Sequence, residues 1–244
     1  MQAVILAGGL GTRLRAIVKD KPKALVEING KPFLEYQLEF LNRYRVTDLI
    51  VCTGYLGEKV EKHFSDGKEY GVSIRYSREL DLLGTGGALK NASFMLDDRF
   101  FVLNGDTIFD TNLHSMKNFH EKSRADATLA LTSVSDQSRY GSVTCEEKNP
   151  FCKDPGNRIT RFAEKASSSD QLISAGIYLL EKRLFSWHDL PNIFSLEKDF
   201  LPQVVLESQV HGFLDINAYF VDIGTPEGYR KLSEDIKFGK ISFD

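Results

Sequence analysis

At 244 residues and 42% hydrophobic, the chain can bury a full core, as one large domain or two small ones. A formal net charge of −3, with both signs interspersed, excludes the marked basic excess of a general nucleic-acid or membrane-surface binder. Three cysteines without a CxxC pair (Cys52, Cys145 and Cys152) suggest neither a disulfide framework nor a zinc site.

In chain order, "QAVILA" is a strand-length apolar run that ends in glycine. "PFLEYQLEFLNRY" reads as a helix with Pro32 at its first position and Phe33, Leu34, Leu38 and Leu41 at helical spacing. "DLIVCTGY" and "RFFVLNGD" are again short apolar runs into glycine, with the amphipathic segment "LGEKVEKHF" between them. Cys52, inside the first of these runs, reads as a small buried hydrophobe. Buried strands that alternate with helices indicate a mainly parallel sheet covered on both faces.

After about residue 125 the periodicity changes. "DATLALTSV", "GSVTCEE", "RITRFAEK" and "LISAGIYLL" read as strands joined by loops. "SLEKDFLPQVVLE" reads as a helix interrupted or restarted at Pro202. "NAYFVDIG" is a further strand, and "TPEGYRKLSEDIKF" a closing helix with Thr225 as N-cap and Pro226 at the first helical position. No linker and no internal repeat divides the chain, so one α/β domain with an elaborated second half is expected. The apolar stretch Ala3 to Ala7 is too short for a signal-peptide core, and no run reaches the roughly 20 residues of a membrane span. A soluble cytoplasmic protein is expected.

"ILAGGLGTRLRAIVKDKPKAL" places three glycines, Gly8, Gly9 and Gly11, directly after the first strand. It fails as a dinucleotide fingerprint because Leu14 stands where the third glycine belongs. It fails as a P-loop because Gly11 is followed by Thr12 and Arg13 rather than by Lys and Ser/Thr. What remains is a turn whose successive N–H groups can form an anion-binding concavity. Arg13 adds a planar fork matched to phosphate oxygens, and Lys23 a mobile point charge. A plain glycine turn with a solvated basic flank is the alternative.

"LLGTGGAL" is a second glycine-rich loop before a helix, and alone it reads equally as a plain turn. Asp106 in "VLNGDT" and Asp222 in "YFVDIGT" end two apolar strands, where ligands bind in open α/β sheets. Two such carboxylates can hold a hard Mg²⁺ ion against phosphate oxygens, whereas either one alone reads as a turn residue.

"LAGGLGTRL…KPKALVEINGKPFLEYQL" resembles the signature of the sugar-phosphate nucleotidyltransferases. "GTGGAL", "NGD", "FAEK", "SAGIYLL" and "VDIGTPEGY" follow in that family's order, from residue 2 to about 230. The chain length and "SLEKDFLP" are most similar to the heptose 1-phosphate guanylyltransferases of bacterial surface-polysaccharide pathways. The resemblance implies a Rossmann-like single domain, with a mixed, mainly parallel sheet flanked by helices (the nucleotide-diphospho-sugar transferase fold). Its nucleotide-binding half would span residues 1–112 and its sugar-phosphate-binding half residues 113–244.

The implied reaction joins a nucleoside triphosphate, GTP in the favoured reading, to a sugar 1-phosphate, releasing pyrophosphate. The nucleophile is a phosphate oxygen whose second pKa of about 6 leaves it mostly ionised near neutral pH, so no general base is needed. Consistently, none of the five histidines falls in a glycine motif; all read as surface or structural residues. The resemblance makes Arg13 and Lys23 catalytic, on the triphosphate and between the two phosphates, and Asp106 and Asp222 the Mg²⁺ ligands. Leu6, Ala7, Gly8, Gly9, Gly11, Thr12, Gly84, Thr85 and Gly86 would frame the nucleotide.

On the acceptor side it assigns Asn104, Gly105, Glu164, Lys165, Gly176 and Lys198. Lys165 would meet the sugar phosphate and Glu164 the sugar hydroxyls. Glu197 to Asp199 read equally as an ordinary capped helix start, and Ser174 stands where many relatives carry Asn. Mannose 1-phosphate guanylyltransfer and uridylyl- or thymidylyltransfer to glucose-like sugars stay open at this point. So does a non-catalytic NDP-sugar-binding paralogue, although the chain keeps all four groups that serve chemistry. No feature of the sequence encodes an oligomeric state; a homo-oligomer, taken as a dimer, is the expectation.

Overall fold

In the computed structural model, which describes residues 1–9, 21–134, 140–146, 157–163, 172–186 and 190–243, the opening apolar run forms strand β1 (Gln2–Leu6). Strands β2 (Glu27–Ile28) and β3 (Lys31–Pro32) make a two-residue ribbon turned by Asn29 and Gly30, both at positive φ. Helix α1 (Phe33–Arg43) follows at once. Pro32 is its N-cap, one position earlier than expected, because Pro32 still pairs with Glu27 and keeps an extended ψ of 140°. Strand β4 (Asp48–Thr53), helix α2 (Gly57–Phe64) and strand β5 (Ser73–Arg78) complete this run.

Then come helix α3 (Gly84–Asn91), strands β6 (Arg99–Asn104) and β7 (Thr107–Phe109), helix α4 (Leu113–Ser123) and strand β8 (Ala127–Thr132). Strands β9 (Ser142–Cys145), β10 (Ile159–Ala163) and β11 (Leu172–Glu181) follow. A π turn (Leu196–Phe200) leads into helix α5 (Leu201–Glu207), so the helix restarts just ahead of Pro202. Strands β12 (Val210–Leu214) and β13 (Phe220–Asp222) and helix α6 (Pro226–Lys237) close the chain. As expected, Thr225 caps α6, its Oγ1 accepting the Gly228 N–H at 3.2 Å.

The residues group into two compact units built from interleaved segments. Met1–Leu82, Leu103–Asp110 and Tyr219–Asp244 form the first, and Leu83–Val102 with Thr111–Ala218 the second.

In the first unit, β1, β4 and β5 pair in parallel, with Val4 opposite Ile50 and Ile50 opposite Arg75. Ala3 to Ile5 and Leu49 to Cys52 are fully buried, as strands covered on both faces require. Helix α1 buries Phe33, Leu34, Leu38 and Leu41, the residues whose spacing predicted it. An antiparallel ribbon pairs β7 with β13, setting Asp222 opposite Thr107 and Val221 opposite Ile108.

In the second unit β12 pairs in parallel with β8, while β8 with β11, β11 with β9 and β9 with β10 pair antiparallel. Strand β8 is buried throughout, and β11 is irregular between Ser174 and Tyr178, where Gly176 takes a φ of 73°. Helix α4 was not foreseen. Its buried face is only Leu113, Met116 and His120, and Asn112 caps it by accepting the Ser115 N–H.

Candidate active site

Three groups expected from the sequence meet in the first unit. Lys23 opens a short 3-10 turn after Pro22, and its carbonyl accepts the Val26 N–H at 3.1 Å. Val26 O in turn accepts the Phe33 N–H at 2.8 Å, fastening this turn to the start of α1. So held, Lys23 Nζ lies 2.6 Å from Asp106 Oδ2.

Asp106 sits in the turn between β6 and β7. The Gly105 N–H donates to Leu6 O at 3.1 Å, and a Cβ on Gly105 would collide with that same oxygen. Glycine is therefore required for the aspartate's turn to lie on the end of β1. Asp222 arrives by the β7–β13 ribbon, and the Ile223 N–H donates to Asp106 O at 2.9 Å.

The convergence is sharpest at Gly224, whose N–H donates to Asp222 Oδ1 at 2.6 Å. A Cβ placed there would stand 2.7 Å from Asp222 Oδ1, 3.3 Å from Asp106 Oδ2 and 3.4 Å from Lys23 Nζ. Two carboxylates and one ammonium thus line a single cradle. Their hard oxygens suit a divalent cation that takes one or two carboxylates and completes its shell with phosphates and water. Among the described residues no group of three or more His, Cys, Asp or Glu side chains could form an all-protein cage.

Of the nucleotide-loop residues, Leu6 ends β1 and Ala7 to Gly9 follow it, with the Ala7 N–H donating to Cys52 O at 2.9 Å. Gly8 packs against the backbone of Gly54, where a Cβ on Gly54 would approach Gly8 O to 2.8 Å. Gly11, Thr12 and Arg13 lie outside the described residues, as do Glu164 and Lys165.

In the second unit, the loop opening α3 is bound up with the 194–198 segment. Gly84 has a φ of 75°, and a Cβ on it would come 2.5 Å from Phe194 O. That carbonyl accepts the N–H groups of Gly86 and Gly87, both at 3.1 Å. Thr85 Oγ1 donates to Glu197 Oε2 at 2.6 Å and accepts the Leu196 N–H at 2.8 Å. Glu197 also accepts from Ser195 Oγ at 3.2 Å and from Tyr178 OH at 3.4 Å. Ser174 Oγ donates to Tyr178 OH at 3.3 Å and accepts the Gly176 N–H at 3.5 Å. Lys198 is exposed, and its N–H donates to Ser195 Oγ at 3.1 Å, while Asp199 accepts the Ser195 N–H at 2.7 Å. The segment is therefore a capped helix start whose Glu197 also gathers hydroxyls.

Four histidines are described, and each is structural or on the surface. His63 and His114 are exposed and His211 is buried. His120 is buried between Thr128 Oγ1 at 2.8 Å and Glu181 Oε1 at 3.1 Å, and burial lowers its pKa despite the Glu181 contact. Cys52 is fully buried and its thiol pKa is raised by that burial, as an inert core residue requires.

Two residues escaped the sequence reading. One is Gly224, hidden among the glycines of "VDIGTPEGY". The other is Gln37, which interrupts the buried stripe Phe33–Gln37–Leu41 of α1; a polar residue on an apolar face was the available signal.

A profile of the nucleotidyl transferase family matches residues 2–238. The chain is 38% identical over 238 residues to the D-glycero-α-D-manno-heptose 1-phosphate guanylyltransferase of Aneurinibacillus thermoaerophilus, covering 97% of this chain and 99% of that one. It is 39% identical over 229 residues to the enzyme of the same name from Campylobacter jejuni, covering 94% and 97% respectively. The crystal structure of HddC from Yersinia pseudotuberculosis complexed with GMP-PN superposes with a TM-score of 0.80 at 33% identity, over 96% of this chain and 99% of that one. The fold is thus the nucleotide-diphospho-sugar transferase fold, a mixed, mostly parallel sheet flanked by helices.

Proposed function

The chain belongs to the nucleotidyl transferase family, and on that footing we propose that it joins GTP to D-glycero-α-D-manno-heptose 1-phosphate, yielding GDP-heptose and pyrophosphate. The observation that carries this reading is the pair of near-full-length relatives that share this name. The GMP-PN complex of the Yersinia protein supports the guanine half. We propose a cytoplasmic location for this reaction; in keeping with it, no helix among the described residues is long and apolar enough to cross a membrane.

In this reading an oxygen of the sugar 1-phosphate attacks the α-phosphorus of GTP. The bond from that phosphorus to the bridging oxygen of the β-phosphate breaks, and pyrophosphate leaves. The attacking phosphate is already ionised near neutral pH, so the protein's task is positioning two anions and neutralising their charge. Lys23 serves both phosphates, being a mobile ammonium held beside Asp106. Arg13 takes the triphosphate. Lys165 takes the sugar phosphate, and Glu164, Gly176 and Lys198 complete the acceptor side. Asp106 and Asp222 would hold Mg²⁺, which supplies charge neutralisation at the phosphates when bound.

The test is a matrix of four nucleoside triphosphates against heptose, mannose, glucose and N-acetylglucosamine 1-phosphates, read by pyrophosphate release with Mg²⁺. The highest kcat/KM is expected for GTP with the heptose. A higher value for mannose 1-phosphate would overturn the sugar assignment, and silence across the matrix the reaction itself.

A further inference from the structure

We infer that Gln37 is a positioning residue that sets the carboxylate of Asp106 against Lys23; this rests on the metal-site reading proposed above. Gln37 belongs to α1 and is 1% exposed. Its Nε2 donates two hydrogen bonds, to Asn104 O at 2.9 Å and to Thr107 O at 3.0 Å. Those carbonyls bracket the Gly105–Asp106 turn on its two sides. One amide group therefore clamps both ends of the segment that presents Asp106.

The same helix governs Lys23. The Phe33 N–H, at the first residue of α1, holds Val26 O, and the Val26 N–H holds Lys23 O. Helix α1 is thus the common body to which both members of the Lys23–Asp106 pair are referenced, one turn apart along its length.

The chemistry of the clamp is demanding. Two carbonyls facing inward need two donors from one group, and a primary amide supplies them from a single nitrogen. Apolar residues at this position would match the rest of the buried stripe, yet would leave both carbonyls without this donor. Gln37 Oε1 and Asn104 Oδ1 are buried without a hydrogen-bond partner among the described residues. The amide is therefore kept in the core at some expense in stability, which a purely space-filling residue would not require.

Gln37→Met keeps the side chain's length and loses both donors. Its expected effect is a loss of about 10- to 100-fold in Mn²⁺ affinity, measured by calorimetry on the protein alone. The Mg²⁺ concentration that half-saturates pyrophosphate release is expected to rise in parallel, with the KM for sugar 1-phosphate unchanged. Phe40→Leu, a buried change elsewhere on α1, controls for general loss of stability and is expected to leave both metal readouts alone. Gln37→Asn retains an amide one methylene short of both carbonyls and carries the same expectation if the methionine variant does not fold.

Equal losses in the Gln37 and Phe40 variants, or metal readouts unchanged in the Gln37 variants, overturn the inference. Asp106→Ala separates this from the reading beneath it. If that variant keeps wild-type metal dependence, the metal site itself is wrong; if it loses it while the Gln37 variants do not, only the clamp is.

Discussion

Lys23 and Asp106 are 83 positions apart in sequence and meet at 2.6 Å, inside one unit and beside the cradle formed by Gly224. Both side chains are only partly buried, so the pair adds little to stability, about 1 kcal/mol or less. In the proposed reaction its weight would fall on catalysis, with an ammonium beside two carboxylates holding charge in register for phosphate.

Lys23→Met is accordingly expected to fold with a melting temperature near that of the wild type. Its kcat/KM should fall about 100- to 1000-fold, by analogy with the cost of removing one preorganised donor from a developing oxyanion. Steady-state pyrophosphate release checks this. Activity within a few-fold of wild type would exclude Lys23 from the chemistry.

Gly224→Ala puts a methyl group where Asp222 Oδ1, Asp106 Oδ2 and Lys23 Nζ converge. The nearest atoms are side-chain tips, so the fold should survive and the carboxylates should move instead. The expected result is a rise of about tenfold or more in the Mg²⁺ concentration needed for turnover, with little change in melting temperature. Titration of activity with Mg²⁺, alongside a thermal melt, separates the two effects.

Lys165→Ala tests the acceptor side. It is expected to raise the KM for sugar 1-phosphate about tenfold or more while leaving nucleotide affinity near wild type, because the proposed mechanism gives this charge to only one of the two anions. Unchanged acceptor kinetics would remove Lys165 from the site.

Asp235 gives the protein a defined acid lability. Its pKa is held at about 2, below the ordinary 3.8, chiefly by the Lys231 hydrogen bond at 2.8 Å. Burial opposes this, and bonds from Lys240 at 2.9 Å and Tyr219 OH at 2.9 Å reinforce it. Because the folded pKa is depressed, the contribution is fully present above about pH 4 and fades as pH falls toward about 2. Asp235→Asn should therefore melt lower than wild type at pH 5 and above, with the gap closing through that acid window. A gap that does not depend on pH would contradict the charged role.

Much of this could be read locally. The runs of "QAVILA", "DLIVCT" and "RFFVLN" become β1, β4 and β6 because a continuous apolar stretch bounded by glycine has few other stable fates. Strand β5 escaped because "SIRYSR" exposes Ser73, Arg75 and Arg78 and shows no apolar run. Strand β12 escaped for a different reason, since His211 and Gly212 break its apolar pattern although both are buried. Gln37 was passed over because a lone glutamine on a helix carries no sign of which carbonyls it will serve.

The sequence by itself determined the kinds of group available and the family they belong to. Glycine turns, apolar runs, the lysine after Pro22 and the two strand-end aspartates are features of a few neighbouring residues, set by sterics and by the water-avoidance of short segments. Only the tertiary structure decided that Asp222 reaches Asp106. That meeting depends on β13 returning to pair with β7, on Gly105 resting against Leu6, and on Gly224 leaving room between the carboxylates. Such pairings are fixed by burial and hydrogen bonding summed over the whole unit, which no local stretch of sequence contains.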